Sequence, residues 1–101
     1  MSQLRILIVD DEPNLMESFK IGLELKDYTV SLAASGREAL AACKDRSFDV
    51  VLLDIRMREM DGLETLKRLE SAVEADRLGA FDYVEKPSTP EAADLQIRKA
   101  I

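Results

Sequence analysis

"ILIVDDEP", residues 6–13, sets four aliphatic side chains directly before three consecutive carboxylates and a proline. Leu4 to Val9 is apolar apart from Arg5, the pattern of a parallel strand covered on both faces, which places it at the centre of a sheet. "FDVVLLD", residues 48–54, repeats the design: an apolar strand that terminates in a carboxylate. Two core strands that each end in acid are the feature from which the rest of the chain is read.

Between and after them the pattern alternates. Pro13 suits the first turn of a helix, where its missing N–H costs nothing, and Leu15, Phe19 and Leu23 recur on one face of a helix ending near Lys26. Tyr28 to Leu32 alternates apolar and polar residues, as an edge strand does. Ser35 and Glu38 form a capping box for a second helix that turns Ala39, Leu40 and Cys43 inward. Asp61 and Glu64 cap a third helix, "DYVEKP" (82–87) is a further strand, and Thr89-Pro90-Glu91 starts a last helix ending in Arg98 and Lys99. Strands alternating with helices predict an α/β fold with a doubly wound, open parallel sheet, whose ligands bind outside the carboxyl ends of the strands.

Composition agrees. The 101 residues fit one domain, 1–101, and 47% hydrophobic with 34% charged residues is an ordinary globular balance. A net charge of −6 without a Lys/Arg cluster argues against direct nucleic-acid or anionic-membrane binding. Histidine is absent and Cys43 is the one cysteine, so zinc and haem spacings and internal disulfides are excluded; Cys43 reads as core. No apolar run reaches membrane-spanning length, and a cytoplasmic location is expected.

Asp10 and Asp11 follow the first strand, Asp54 ends the third and Lys86 ends the last, so one crevice should gather three carboxylates and an ammonium. Crowded carboxylates repel unless a cation sits among them. Mg²⁺, which takes one or two carboxylates plus waters and phosphate oxygens, is the natural candidate. Each acid alone reads equally as a helix cap or loop charge, and Lys86 alone as a surface lysine. Glu12 reads as first-turn charge.

At these residues the chain resembles the receiver domain of two-component response regulators: "ILIVDDEP", "DVVLLDIRMREMDG" and "GAFDYVEKP" occur in the family's order. The resemblance implies a CheY-like, flavodoxin-like fold of strand order 2-1-3-4-5. It makes Asp54 the phosphoacceptor, with Mg²⁺ held by Asp11, Asp54 and the backbone carbonyl of Arg56, and Asp10 assisting through water. Lys86 binds the phosphoryl group, Tyr83 is the aromatic switch residue and Lys86-Pro87 matches a cis bond. It further implies a histidine kinase or phosphotransfer protein as partner and an output domain C-terminal to the receiver.

One region departs from the family. Receivers carry, before "GAFDYVEKP", an apolar strand ending in Ser or Thr; this chain runs "LKRLESAVEADRLGA" instead. Half of the switch thereby lacks a counterpart, and Tyr83 reads equally as core. A sheet reduced to four strands would pair "DYVEKP" directly with the Asp54 strand and favour a homodimer or domain-swapped dimer. Leu63, Leu66, Leu69, Ala72, Ala75 and Leu78 recur every third residue, a stripe that drifts around one straight helix, so two helices with a break or missing residues near Glu70-Ser71 are expected rather than a deletion that fuses them. Arg58 stands where the family often has proline and reads as a solvated loop residue. The last helix offers only Ala93, Ile97 and Ile101, with Leu95 beside them, as an apolar face.

Three functions are weighed. The first is a phosphoacceptor receiver, not an enzyme beyond its own phosphotransfer and slow dephosphorylation. The second is a receiver-shaped interaction module that no longer switches. The third is a Mg²⁺-dependent phosphohydrolase, disfavoured because the D-x-D nucleophile pattern is absent.

Overall fold

The computed structural model describes residues 4–54, 62–74, 82–85 and 89–100. Four strands and four helices alternate: β1 (Arg5–Val9), α1 (Pro13–Glu24), β2 (Thr29–Ala33), α2 (Gly36–Asp45), β3 (Val50–Leu53), α3 (Gly62–Glu74), β4 (Asp82–Glu85) and α4 (Pro90–Ala100). The described strands form one parallel sheet of order β2-β1-β3-β4. This is the expected arrangement with four strands, and β4 lies directly against β3, from Val50↔Asp82 to Leu53↔Glu85.

Alternation along the strands sends side chains to two separate cores. Ile6, Ile8, Val50 and Leu52 meet Met16, Phe19 and Leu23 of α1 and Ala93 and Ile97 of α4. Leu7, Val9, Val51 and Leu53 meet Ala39 of α2, Phe48 and Leu66 of α3. β1 from Ile6 onward and the whole of β3, buried on both faces, are therefore apolar without interruption, as central parallel-sheet strands are.

Local chemistry sets the helix ends. Pro13 occupies the first turn of α1 and Glu12 is its cap residue. Ser35 Oγ accepts from the Glu38 N–H at 3.2 Å, one half of the expected capping box. Thr89 Oγ1 accepts from the Ala92 N–H at 3.1 Å and starts α4. The C-terminus of α1 closes in a Schellman motif: the Tyr28 N–H donates to the Leu23 carbonyl and the Asp27 N–H to the Glu24 carbonyl, with Asp27 left-handed at φ 68°.

Three expectations are corrected. Leu15 is 53% exposed, and the buried stripe of α1 is Met16, Phe19 and Leu23, because an i, i+3, i+7 spacing stays on one face of a 3.6-residue helix. α3 passes through Glu70 and Ser71 without a break. The drift of its three-residue repeat is absorbed instead by exposing Leu63 and burying Thr65 beside Leu66, Leu69 and Ala72. Ala75 and Leu78 lie outside the described residues. In α4, Ala93 and Ile97 are buried as expected and Ile101 lies outside the described residues; the carboxylate Asp94 is buried as well, while Leu95 faces solvent.

Asp94 is held by a cluster drawn from α4 and the turn between α1 and β2. The Tyr28 hydroxyl donates to Oδ1 at 2.5 Å, Arg98 reaches Oδ1 with Nε at 3.2 Å and Oδ2 at 3.0 Å, and Lys26 Nζ stands 4.0 Å from Oδ2. Tyr28 and Lys26 follow α1 and precede β2, so the cluster clips the last helix to the first helical turn-back.

Candidate functional site

The carboxyl ends of β1 and β3 finish flush, at Val9↔Leu53, so the residues that follow them are neighbours. Backbone bonds fix both exits. The Asp10 N–H donates to the Ala33 carbonyl of β2 at 3.1 Å, and the Asp54 N–H donates to the Val9 carbonyl at 2.9 Å. Asp10 is 1% exposed, and its Oδ1 accepts from the Glu12 N–H at 3.0 Å, a turn in which an aspartate side chain mimics the backbone. Asp11 and Asp54 are half-buried.

One carboxylate oxygen from each of Asp10, Asp11 and Asp54 lies within 4.8 Å of the other two. Opposite ligands of an octahedral Mg²⁺ stand about 4.2 Å apart at metal–oxygen distances of about 2.1 Å, so a small contraction brings these atoms into one coordination sphere. Oxygen-only donors with no nitrogen or sulfur select a hard cation over zinc or copper. The residues present fit a divalent ion. The site also lies where the chain, having gone from β1 outward to β2, crosses back to β3, the position at which open parallel sheets place their ligands.

Of the expected site residues, the fold brings Asp10, Asp11 and Asp54 together. Tyr83 occupies β4 at the register position opposite Val51. Arg56, Arg58, Lys86 and the Lys86-Pro87 bond lie outside the described residues. Glu12 is exposed and does not join the acids, but its N–H orients Asp10, as does the Ala33 carbonyl. The D-x-E spacing of Asp10 and Glu12 was the available signal for the first contact; nothing local to "SLAAS" announces the second.

A family model described as the response regulator receiver domain matches residues 6–74, more than half of the sequence. The chain belongs to that family. As a receiver domain it is the phosphoacceptor module of two-component signalling. This receiver is similar to the regulatory protein AtoC of Escherichia coli K12, 40% identical over 115 residues covering 96% of the chain and 25% of the relative. It is also similar to the transcriptional regulatory protein ZraR of Escherichia coli O157:H7, 38% identical across 95% of the chain and 26% of the relative. The receiver therefore spans about a quarter of the length of these curated relatives. An alignment of 115 positions exceeds the 101 residues of the whole chain, so AtoC carries residues that have no counterpart in this sequence. Among solved structures, the receiver resembles the chemotaxis protein CheY4 of Vibrio cholerae, with a TM-score of 0.80 and 27% identity over 99% of this chain and all of that one. The response regulator TrrA of Thermotoga maritima, solved with Mg²⁺-BeF, gives a TM-score of 0.77 and 27% identity over 98% of this chain and 100% of that one.

Proposed function

We propose that residues 1–101 form one receiver domain in which Asp54 accepts a phosphoryl group from the phosphohistidine of a partner kinase or phosphotransfer protein. The observation that carries this reading is the convergence of Asp10, Asp11 and Asp54 within 4.8 Å at the ends of β1 and β3. An Asp54 carboxylate oxygen attacks phosphorus, the N–P bond to the partner's histidine breaks, and an acyl phosphate forms. Asp11 and Asp54, with Asp10 through water and the Arg56 carbonyl, would hold Mg²⁺, which when bound offsets charge on the phosphoryl oxygens. Lys86 follows Glu85, the register partner of Leu53, and its ammonium is assigned to the same oxygens. Asp10, tied by its own side chain to the Glu12 N–H, keeps its place in the acid cluster without reorganisation. Beyond this self-phosphorylation and slow hydrolysis the domain is not an enzyme. A cytoplasmic location and an output domain C-terminal to the receiver, as in relatives four times its length, complete the reading.

Incubation with acetyl phosphate and Mg²⁺ should add one phosphoryl mass to the intact chain. Asp54→Asn and chelation with EDTA should each abolish the adduct. An unmodified parent chain would remove Asp54 as acceptor and leave the second reading, a receiver-shaped interaction module. One observation favours that alternative: β4 pairs directly with β3, with no strand between them to carry the family's hydroxyl residue.

A further inference from the structure

Among the described residues the sheet ends in β2 and β4, and the two differ in sequence. β4, Asp82–Glu85, begins and ends in a carboxylate, whereas β2 reads "TVSLA", with no charge and no proline, and it pairs with β1 without a bulge from Arg5↔Thr29 to Val9↔Ala33. Natural edge strands are normally blunted by charge, proline or bulges, because an unblunted edge is a template for another strand.

The hydrogen-bond parity shows what β2 offers. The Thr29 N–H donates to the Leu4 carbonyl and the Ala33 carbonyl accepts from the Asp10 N–H, so Thr29, Ser31 and Ala33 turn their backbone groups to β1. In a parallel ladder the intervening residues point the other way, and Val30 and Leu32 present N–H and C=O outward. An open groove of about 780 Å³ runs along these residues, walled by Lys20 of α1 on one side and by Ala41, Ala42 and Phe48 on the other. A strand fills a slab about 4.8 Å by 10 Å and 3.3 Å per residue, so this space takes about five residues, the length of β2 itself.

We propose that the β2 edge is a docking slot for an extended peptide of a partner protein, in which acidic and apolar residues alternate. The periodicity follows from the two walls. Every second side chain of an added strand faces α1, whose charged contribution to the groove is Lys20. The others face the low alanine wall and Phe48 of the α2 side, where Glu38 and Asp45 outnumber Arg46 and exclude further acid. Main-chain bonds to Val30 and Leu32 supply affinity and the alternating side chains supply selectivity. Two helix-flanked sheets cannot share a slot one strand wide, which sets a second copy of this chain aside.

The test uses the isotope-labelled chain and a five-residue capped peptide of alternating valine and aspartate. Amide exchange at Val30 and Leu32 should slow at least tenfold at saturation. A peptide with lysine replacing aspartate should bind at least tenfold more weakly, and Lys20→Glu should reverse that preference. Leu32→Pro, which removes an outward N–H, should lose binding while keeping its circular dichroism; if it does not fold, the Lys20→Glu arm decides. Absence of protection at millimolar peptide, a charge preference indifferent to Lys20→Glu, or concentration-dependent dimerisation that protects the same amides without peptide would each overturn the proposal.

Discussion

Asp27 sits at φ 68°, where a Cβ crowds the backbone, and it places a negative side chain at the carbonyl end of α1. Both features are unfavourable: the left-handed conformation costs about 1–2 kcal/mol for a non-glycine residue, and an anion opposes the helix dipole there. Asp27→Gly keeps the Schellman bonds and removes both penalties, less the extra freedom glycine loses on folding. We expect a gain of about 1 kcal/mol, measured as a shift in the urea midpoint at unchanged slope. The sequence hinted at a helix end near Lys26, but nothing in "LKDY" declares that the left-handed residue is an aspartate, because the usual glycine signal is missing. The site acids were legible for the opposite reason. Each stands at the end of an uninterrupted apolar run, and strand geometry alone carries them to one edge of the sheet. Their orientation was less legible, since it rests on the Ala33 carbonyl, 23 residues from Asp10 in sequence and adjacent only once β2 pairs with β1.

At the scale of elements, the approach of α1 to α4 depends on the absence of a side chain. A Cβ on Gly22 would lie 2.7 Å from Cβ and Cγ of Pro90, whose ring cannot swing away. Gly22→Ala improves helix propensity by about 0.5–1 kcal/mol, yet overpacking a fitted contact costs about 1–3 kcal/mol. The expected outcome is a lower melting temperature, recovered in part by the double variant Gly22→Ala, Pro90→Gly, which removes both clashing atoms; a more stable single variant would show that the helices separate freely. This contact explains why sequence periodicity misjudged both helices. The face of α1 toward α4 is chosen by a glycine and the face of α4 includes a carboxylate, so counting apolar residues promoted Leu15 and Leu95, which the fold leaves in water. α3 was misjudged in the same way, since Thr65, fully buried, does not register as apolar.

Across the whole molecule, the cluster around Asp94 joins residues 66 positions apart and gives stability a defined pH window. The hydrogen bond from Tyr28, followed by the positive charges of Arg98 and Lys26, holds the Asp94 carboxyl below its usual value, so its contribution is present above about pH 4 and is lost as pH falls through the depressed value. Burial, then the bond to Asp94, raises the Tyr28 hydroxyl above its usual value; that contribution is complete below about pH 10 and is lost as pH rises through the raised value. Tyr28→Phe should therefore cost about 1.5–3 kcal/mol at neutral pH, as expected for a hydrogen bond to a charged group. Its stability profile, from urea midpoints across pH 3 to pH 11, should lose the alkaline edge and weaken the acid one. An unaltered profile would show that the cluster is ornamental to folding.

Cys43 supplies a way to watch all of this without adding a probe. It is a free, half-buried thiol on α2, and burial pushes its pKa up to about 11. The thiolate, which alone reacts, is thus roughly 100-fold scarcer in the folded chain than in the open one. Iodoacetamide should consequently label the folded chain about 100-fold more slowly than the chain in urea, and because the sequence holds one sulfhydryl, each molecule takes up a single label.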